Sequence, residues 1–246
     1  MNKIYKDESV ILLQGDCLEV MDKMIKKGVK VNLILTDPPY MHEKGGRGKM
    51  LLGDSLDREK FNMKELGDFG KEQIYNFLNK SKLLMNKPQW YIFCSEKQIV
   101  YYLDWCQENK FKYNILTWNK PLSVMNRERY STNIEYIVRI YGNGCALNKL
   151  DLDNNPDQTK YYSKYKTYSQ IRGKGKLHPS QKPIEILNEI ISVSSNINDT
   201  IFDPYIGSGS TLIASINTNR KCIGIELDEK YCEITKNRIL ETVNKI

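Results

Sequence analysis

Apolar and polar positions follow one another along this chain in blocks that have the lengths of strands and helices. Short runs rich in branched and aromatic apolar residues predict strands at residues 10–13, 31–36, 89–94, 113–118, 133–141, 199–203 and 221–227. Stretches with apolar residues three or four positions apart predict helices at residues 17–27, 71–85, 96–109 and 183–193, and a further helix begins at residue 212. This alternation predicts an α/β fold with a doubly wound sheet.

The chain shows no linker that would divide it into two domains. No stretch rich in Pro, Ser or Gly separates the predicted elements, so we expect one domain over residues 1–246. The segment 41–70 is polar and lacks strong periodicity. A segment of this length inside a domain is typically a binding loop, a lid or a disordered region, and we expect a mobile loop here.

Composition limits the compartment and the class of protein. The six cysteines are scattered with no Cys-x-x-Cys pair, which predicts neither a zinc site nor a disulfide framework, and no metal is expected. The sequence has no apolar stretch of the roughly 18 residues that a membrane span needs. Residues 1–8 also lack the apolar core of a signal peptide. We therefore expect a cytoplasmic protein that does not bind a membrane.

Positive charge is concentrated in one part of the chain. The formal net charge is +7, and the window 158–182 has no acidic residue but contains Lys160, Lys164, Lys166, Arg172, Lys174, Lys176 and Lys182. Tyrosines at positions 161, 162, 165 and 168 interleave with these cations. Such a mixture is typical of surfaces that neutralise phosphates and contact bases, so the window predicts a nucleic-acid interface. A solvated, flexible loop is the alternative that the composition leaves open.

The tetrapeptide Asp37-Pro38-Pro39-Tyr40 directly follows the apolar run at residues 31–36. Prolines donate no backbone hydrogen bond, so the carbonyls beside them stay free to accept from a ligand, and Asp37 adds a second acceptor. The face of Tyr40 can stack on a nucleobase that has been extruded from its duplex. The tetrapeptide predicts a pocket for a flat base with an exocyclic amine, although a Pro-Pro pair also commonly ends a strand without further function.

A second candidate site lies where the predicted strand at residues 199–203 runs into a glycine turn. Gly207 and Gly209 permit unusual backbone angles and a close approach of a ligand. Ser210 and Thr211 can cap the helix that follows or contact the ligand. The segment therefore predicts a loop that cradles a cofactor.

An acidic residue follows this turn at the distance expected for a nucleoside site. Glu226 lies about 20 residues beyond the glycines, where a carboxylate commonly meets ribose hydroxyls, and Asp228 is the second candidate. A dinucleotide is the competing interpretation, but Leu212 occupies the position of the third glycine of that fingerprint. Asp203 would repel phosphates and suits an amino group, which favours S-adenosylmethionine.

Together these segments resemble the amino-group DNA methyltransferases of the circularly permuted beta class. Residues 37–40 resemble the catalytic motif, residues 202–211 the methionine-side cofactor loop, and Glu226 the ribose motif. Residues 178–183 resemble the motif that closes over the cofactor, and residues 15–21 the segment whose Asp reads the cofactor's adenine amine. The catalytic motif comes first and the cofactor loop last, which is the permuted order.

The resemblance implies a Rossmann-like methyltransferase fold with a mostly parallel, seven-stranded sheet. It assigns catalysis to Asp37, Pro38, Pro39 and Tyr40. It assigns cofactor binding to residues at strand ends and in the glycine turn: Asp16, Cys17, Lys182, Phe202, Asp203, Tyr205, Gly207, Gly209, Ser210, Thr211, Glu226, Leu227 and Asp228. Open α/β sheets bind ligands at the carboxyl ends of their strands, so we expect the acids in this set to converge there.

By the same resemblance, the reaction is transfer of a methyl group from S-adenosylmethionine to a base flipped out of double-stranded DNA. An Asp before Pro-Pro-Tyr favours the N6 amine of adenine, with the N4 amine of cytosine as the first alternative. A methyltransferase that acts on RNA or protein and a catalytically inactive DNA-binding protein are further alternatives. The order of the motifs and their intact residues disfavour both.

Target recognition is placed by resemblance in residues 142–177. The predicted DNA contacts are basic residues of that region and of segments near the catalytic motif: Arg47, Lys49, Lys120, Arg127, Arg129, Lys160, Lys164, Lys166, Arg172, Lys174 and Lys176. Trp118 and Glu135 are expected to pack within their strands. For a bacterial or phage-encoded enzyme of this family, the resemblance allows a homodimer and a cognate restriction endonuclease as partners, and the sequence decides neither.

Overall fold

The structure, a computed structural model, describes residues 2–40, 69–120, 133–171, 177 and 181–244. The strands are β1 (Asn2–Lys6), β2 (Val10–Gln14), β3 (Leu33–Thr36), β4 (Gln89–Cys94), β5 (Lys112–Asn119), β6 (Ile134–Tyr141), β7 (Tyr165–Thr167), β8 (Thr200–Asp203) and β9 (Lys221–Glu226). The helices are α1 (Cys17–Lys26), α2 (Lys71–Lys82), α3 (Glu96–Glu108), α4 (Ile184–Ser194), α5 (Ser210–Asn217) and α6 (Glu229–Val243). None of the helices in these ranges has the length and apolar character that crossing a membrane requires.

The strands form one mixed sheet in the order β1-β2-β9-β8-β3-β4-β6-β5-β7. The strands from β2 to β4 in this order are parallel, β6 is antiparallel to both of its neighbours, β1 is antiparallel to β2, and β7 is parallel to β5. The predicted doubly wound, mostly parallel sheet is thereby confirmed. The sheet also contains two edge strands, β1 and β7, that the apolar pattern does not predict. They are missed because β1 is short and carries two lysines and β7 has only three residues.

Neighbours in the sheet come from distant parts of the chain. Gln14 at the end of β2 lies opposite Glu226 at the end of β9, and the N–H of Gly15 donates to the Glu226 carbonyl at 2.9 Å. Strand β3 lies beside β8, with Ile34 opposite Phe202. The strand before the predicted catalytic motif therefore precedes the strands of the predicted cofactor site in sequence but adjoins them in space, as circular permutation requires.

Apolar layers cover both faces of the sheet. All residues of β3 and β4 are buried, which explains why these strands read as continuous apolar runs. On one face α1, α2 and α3 pack with Trp90 and Phe77, and on the other α4, α5 and α6 pack with Leu35 and Ile190. Phe202 is fully buried in the first layer. Its side chain therefore packs in the core, and the predicted contact of Phe202 with the cofactor stays a prediction.

Candidate active site

The catalytic tetrapeptide begins where β3 ends, at the carboxyl edge of the sheet. The Oδ2 atom of Asp37 accepts a hydrogen bond from Nζ of Lys182 at 2.6 Å. The other oxygen, Oδ1, is buried and has no hydrogen-bond partner within the described ranges. A buried acceptor without a donor is unfavourable until a ligand supplies one. The Oδ1 atom of Asp37 thus matches the acceptor that the predicted pocket offers to an exocyclic amine.

The ammonium group of Lys182 lies at the centre of this pocket. Its side chain is almost fully buried, and Nζ lies 2.6 Å from Asp37 and 3.1 Å from the carboxylate of Glu135. Nζ also lies 3.4 Å from the hydroxyl of Tyr40 and 5.4 Å from the centre of its ring. The structure therefore brings Lys182 to the predicted catalytic tetrapeptide, and its contact with the cofactor stays a prediction.

Glu135, on β6, belongs to the site and not only to the packing of its strand. Its Oε2 atom accepts a hydrogen bond from the Tyr40 hydroxyl at 3.1 Å, and its Oε1 atom forms a close ion pair with Lys120. Lys120 was predicted to contact DNA, but its largely buried side chain is paired within the protein. In the sequence, Glu135 is visible only as a lone acid at the start of an apolar strand. That pattern does not reveal that its carboxylate is paired with Tyr40, Lys120 and Lys182.

Burial and charge act in opposite directions on this cluster. Burial lowers the pKa of Lys182, but Asp37 and Glu135 attract its charge and raise the pKa above the ordinary value. Burial raises the pKa of Asp37 against the opposing pull of Lys182. For Glu135 the burial effect is also the largest single influence, yet Lys182 and Lys120 together lower the pKa. Lys182 therefore stays protonated and is shared between the two carboxylates.

Tyr40 is held as a neutral phenol. Burial, followed by the negative charges of Asp37 and Glu135, keeps the pKa of Tyr40 well above its ordinary value. The protonated hydroxyl can therefore donate to Glu135, which fixes the direction of the ring. A fixed aromatic face beside Asp37 is the arrangement that stacking on a planar base needs.

The glycine turn begins at Asp203, where β8 ends beside β3. The Oδ1 atom of Asp203 accepts a hydrogen bond from the Thr36 hydroxyl at 2.6 Å and from the N–H of Tyr205 at 3.0 Å. Burial raises the pKa of Asp203 to about 6, and the hydrogen bonds from Thr36, Thr211 and Tyr205 oppose that rise. The bond to Thr36 ties the catalytic strand directly to the start of the predicted cofactor loop.

Both predicted glycines of the turn have left-handed backbone angles, with φ of 53° at Gly207 and 83° at Gly209. A Cβ atom on Gly209 would lie 2.7 Å from Cγ2 of Thr235 on α6, so this glycine is needed for packing against the helix. Gly209 is itself the N-cap of α5, and Ser210 is the first helical residue. The Oγ atom of Ser210 is buried without a hydrogen-bond partner in the described part of the chain.

Glu226 ends β9 and faces the glycine turn, as predicted. Its Oε2 atom accepts from the N–H of Gly207, and its Oε1 atom accepts from the N–H groups of Leu227 and Asp228, each at 2.9 Å. Burial raises the pKa of Glu226 to about 7 despite these three bonds. Asp228 caps α6 by accepting from the N–H of Tyr231, so Glu226 remains the first candidate for a ribose contact.

Asp16 and Cys17 stand at the end of β2, next to Glu226. Asp16 is the N-cap of α1, and its Oδ1 atom accepts from the N–H groups of Leu18 and Glu19. Burial raises the pKa of the Cys17 thiol to about 11, against a hydrogen bond with Tyr205. Asp16 therefore caps a helix and also lies at a strand end, and the position at the strand end is as predicted.

The predicted DNA contacts divide into three groups. Lys160 and Lys164 are exposed. Lys166 is only 2% exposed, lies 3.0 Å from the carboxylate of Glu189 and donates to two backbone carbonyls, so the predicted phosphate contact is wrong for this residue. Lys120 is likewise largely buried and paired. The remaining predicted contacts lie outside the described residues: Arg47, Lys49, Arg127, Arg129, Arg172, Lys174 and Lys176. Residues 178–180 of the segment 178–183 also lie outside them.

Four strands that are neighbours in the sheet therefore bring Asp16, Glu226, Asp203 and Asp37 to its carboxyl edge, in the order β2, β9, β8 and β3. This fold and this row of acids define a Rossmann-like methyltransferase of permuted order. The model of a family described as DNA methylase, N6_N4_Mtase, matches residues 31–237. The chain belongs to this family of DNA methylases, which confirms the expected resemblance.

Individual relatives agree with the family over nearly the whole chain. The Type II methyltransferase M2.MboI of Moraxella bovis is 29% identical, over 96% of this chain and 89% of that protein. The DNA adenine methyltransferase YhdJ of Escherichia coli is 23% identical, over 96% of this chain and 84% of its own. The crystal structure of an M1.HpyAVI–SAM complex superposes with a TM-score of 0.68 at 26% identity, covering 94% of this chain and 98% of that one.

Proposed function

We propose that this protein transfers a methyl group from S-adenosylmethionine to the exocyclic N6 amine of an adenine flipped out of double-stranded DNA. The observation that carries the proposal is the buried Oδ1 atom of Asp37, an acceptor that an exocyclic amine would complete. Membership of a DNA methylase family supports DNA as the substrate. The SAM complex of a protein with 26% identity and a matching fold supports the cofactor.

The residues at the sheet edge suit that cofactor because they are acceptors and its ribose, adenine and amino groups are donors. We assign Glu226 to the ribose hydroxyls and Asp203 to the amino group of the methionine part. We assign Asp16 to the adenine amine. The bare, buried Oγ atom of Ser210 offers a further polar contact in the glycine turn. Each of these contacts is part of the proposal.

The chain's own groups position the reacting amine. Bound S-adenosylmethionine supplies an electrophilic methyl group on its sulfonium centre. Tyr40 stacks on the flipped base while its hydroxyl stays on Glu135. The amine donates to Oδ1 of Asp37 and to the carbonyl of Pro38, which turns the nitrogen lone pair out of the ring plane. Lys182 opposes the rise in the pKa of Asp37 that burial causes, and so it favours the carboxylate form that accepts from the amine. The amine loses its proton to water after methyl transfer.

Adenine is proposed over cytosine because of the Asp that precedes Pro-Pro-Tyr, and because one relative is named a DNA adenine methyltransferase. The pocket geometry accepts either exocyclic amine, so the base is decided by product analysis. DNA from cells that express the protein, digested to nucleosides and analysed by mass spectrometry, is expected to contain N6-methyladenine. N4-methylcytosine would reassign the base, and no methylated nucleoside would contradict the proposal.

Cofactor affinity is expected to rise with pH through about 7. Ribose hydroxyls donate to the ionised form of Glu226, and burial raises the pKa of that carboxyl to about 7. Below this pKa the affinity should fall by up to about tenfold per pH unit, because each unit below the pKa reduces the ionised fraction about tenfold. Calorimetric titration with S-adenosylmethionine from pH 5 to pH 8.5 measures the profile.

The matched variant is Glu226→Gln, which should bind more weakly and lose the step near pH 7. A smaller step is expected to remain, since burial raises the pKa of Asp203 to about 6. The stability of the unliganded protein should change with pH in the opposite direction to the cofactor affinity. The pKa of Glu226 rises from an ordinary 4.5 to about 7 on folding, so this group makes the free energy of unfolding fall as pH rises between those values. A wild-type affinity that is flat across pH 7 would contradict the ribose assignment.

The DNA contacts, the domain organisation, the partners, the location and the origin of the protein stay predictions. The exposed Lys160 and Lys164 support a DNA contact on the recognition region 142–177, and the single domain over residues 1–246 is likewise a proposal. A homodimer, a cognate restriction endonuclease, a cytoplasmic location and a bacterial or phage origin are expected from the family resemblance alone.

A further inference from the structure

Gln98, in the first turn of α3, is a fully buried polar side chain that the proposed reaction does not use. Its Nε2 atom donates to the carbonyl of Pro39 at 3.0 Å and to the carbonyl of Phe69 at 2.9 Å. Its Oε1 atom accepts from the N–H of Ser95 at 3.1 Å and from the Ser95 hydroxyl at 2.9 Å. Both hydrogens and both lone pairs of the amide are therefore in use.

These partners fix the direction of the amide. Backbone carbonyls only accept and the Ser95 N–H only donates, so a reversed amide would place like groups against one another at three of the four contacts. In a fully buried position such mismatches are costly, because no water can replace the lost bonds. The amide is therefore a rigid bridge from α3 to the carbonyl of Pro39.

We propose that Gln98 is a positioning residue for methyl transfer, which holds the peptide between Pro39 and Tyr40 in its reactive orientation. The two prolines of the catalytic motif have no N–H, so they donate no backbone hydrogen bond that would orient the motif. The bond from Gln98 to the Pro39 carbonyl supplies such an anchor. By fixing the Pro39 carbonyl, Gln98 fixes the backbone from which the ring of Tyr40 projects. Displacements of about 1 Å at such positions can cost about a hundredfold in rate.

The same amide connects the catalytic motif with the cofactor loop. Its second hydrogen holds the carbonyl of Phe69, and the ring of Phe69 packs edge-on against Tyr205 with centroids 5.6 Å apart. Tyr205 follows Asp203 in the glycine turn and is itself partly buried. Gln98 is thus bonded directly to the catalytic motif, and it reaches the cofactor loop only indirectly, through the packing of Phe69 on Tyr205. This inference rests on the proposed function, because it assigns a role within that reaction.

The chain offers a matched pair of substitutions, Gln98→Glu and Gln73→Glu. Each glutamine is the third residue of a helix and accepts from the N–H of its N-cap residue, Gln98 from Ser95 and Gln73 from Gly70. Glutamate preserves that capping bond. At position 98, however, it removes both amide donors and sets a carboxylate against two carbonyl oxygens. Gln73 is exposed, so its substitution tests only the change of charge near a helix start.

Methyl incorporation into unmethylated genomic DNA and calorimetric titration with S-adenosylmethionine separate turnover from cofactor binding. Gln98→Glu is expected to lower kcat by roughly tenfold to a hundredfold with cofactor affinity within about twofold of wild type. Gln73→Glu should match wild type in both. The kcat of Gln98→Glu relative to wild type should also recover as pH falls, since a protonated carboxyl regains one donor for the Pro39 carbonyl. A residue needed only for folding would not produce this pH-dependent recovery.

Gln98→Met, which has similar length and no amide donor, is the second variant and should lose kcat without recovery at low pH. The inference is overturned if either folded variant keeps wild-type kcat, or if Gln98→Glu shows no recovery. Unfolding of both variants, seen as loss of the thermal transition, would also overturn it by assigning Gln98 to folding alone. Failure of the proposed function is distinct, since wild-type protein itself would then transfer no methyl group to DNA.

Discussion

Replacing Asp37 with alanine is expected to abolish methyl transfer to DNA while leaving cofactor binding intact. The substitution removes Oδ1, the buried acceptor proposed for the base amine, and it also removes the partner of Lys182. Loss of a single preorganised electrostatic contact costs about a hundredfold to a thousandfold in turnover, and here two functions of one carboxylate are lost. We expect a loss of at least about a thousandfold. Incorporation of labelled methyl groups and calorimetric titration with S-adenosylmethionine measure the two quantities.

Glu233→Ala is the control for this substitution, because it also removes one carboxylate but from an exposed position on α6, where Glu233 lies 3.6 Å from Lys236 and outside the recognition region 142–177. It should keep wild-type turnover. Asp37→Asn preserves the shape of the side chain and tests whether charge is needed in addition to an acceptor. Turnover by Asp37→Ala at more than about a tenth of the wild-type rate would remove the basis of the proposed mechanism.

Replacing Lys182 with methionine is expected to have the largest effect on stability. The ammonium group is shared by Asp37 and Glu135, both of which are at most partly exposed. Methionine would fill a similar volume but leave two carboxylates facing each other without compensation. Removing one partner of a buried ion pair typically costs about 3–5 kcal/mol, so the free energy of unfolding in urea should fall by that amount. Turnover should fall as well, because Asp37 would then take up a proton.

Lys80→Met provides the matched comparison. Its Nζ atom lies 2.6 Å from the carboxylate of Asp22, the same separation as between Lys182 and Asp37, but the two side chains are 27% and 47% exposed, against 6% and 17% for the buried pair. Exposed pairs contribute about 0–1 kcal/mol, so the two variants should differ several-fold in their effect on stability. If Lys182→Met is no more destabilising than Lys80→Met, the charge balance inferred for the catalytic cluster is incorrect.

Much of the fold and the row of acids could be predicted from the sequence because the relevant signals are local. Buried strands of a parallel sheet read as unbroken apolar runs, and the residue after each run lies at the carboxyl edge by geometry alone. This is why Asp37, Asp203 and Glu226 were placed correctly relative to the sheet. The two edge strands were missed because three to five residues with lysines among them give no clear period.

The contacts among side chains could not be predicted, because they depend on packing between distant elements. Lys166 resembles its basic neighbours in sequence, yet it is buried against Glu189 on α4. Glu135 and Lys182 likewise gain their roles only from one another and from Asp37. Gly209 was expected to make room for a ligand, but the closest group to its missing Cβ is Thr235 of α6. In each case the decisive neighbour lies on another helix or strand.

The pair of Lys182 with Asp37 joins residues that are 145 positions apart, and the bond from Thr36 to Asp203 spans 167 positions. During translation the ribosome therefore releases the first half of the pocket well before the second half has been synthesised. A prematurely terminated polypeptide would carry the base-binding tetrapeptide but neither its counterion nor a place for the methyl donor. Interrupted synthesis thus yields inert fragments, and modification of the genome begins only with the finished molecule.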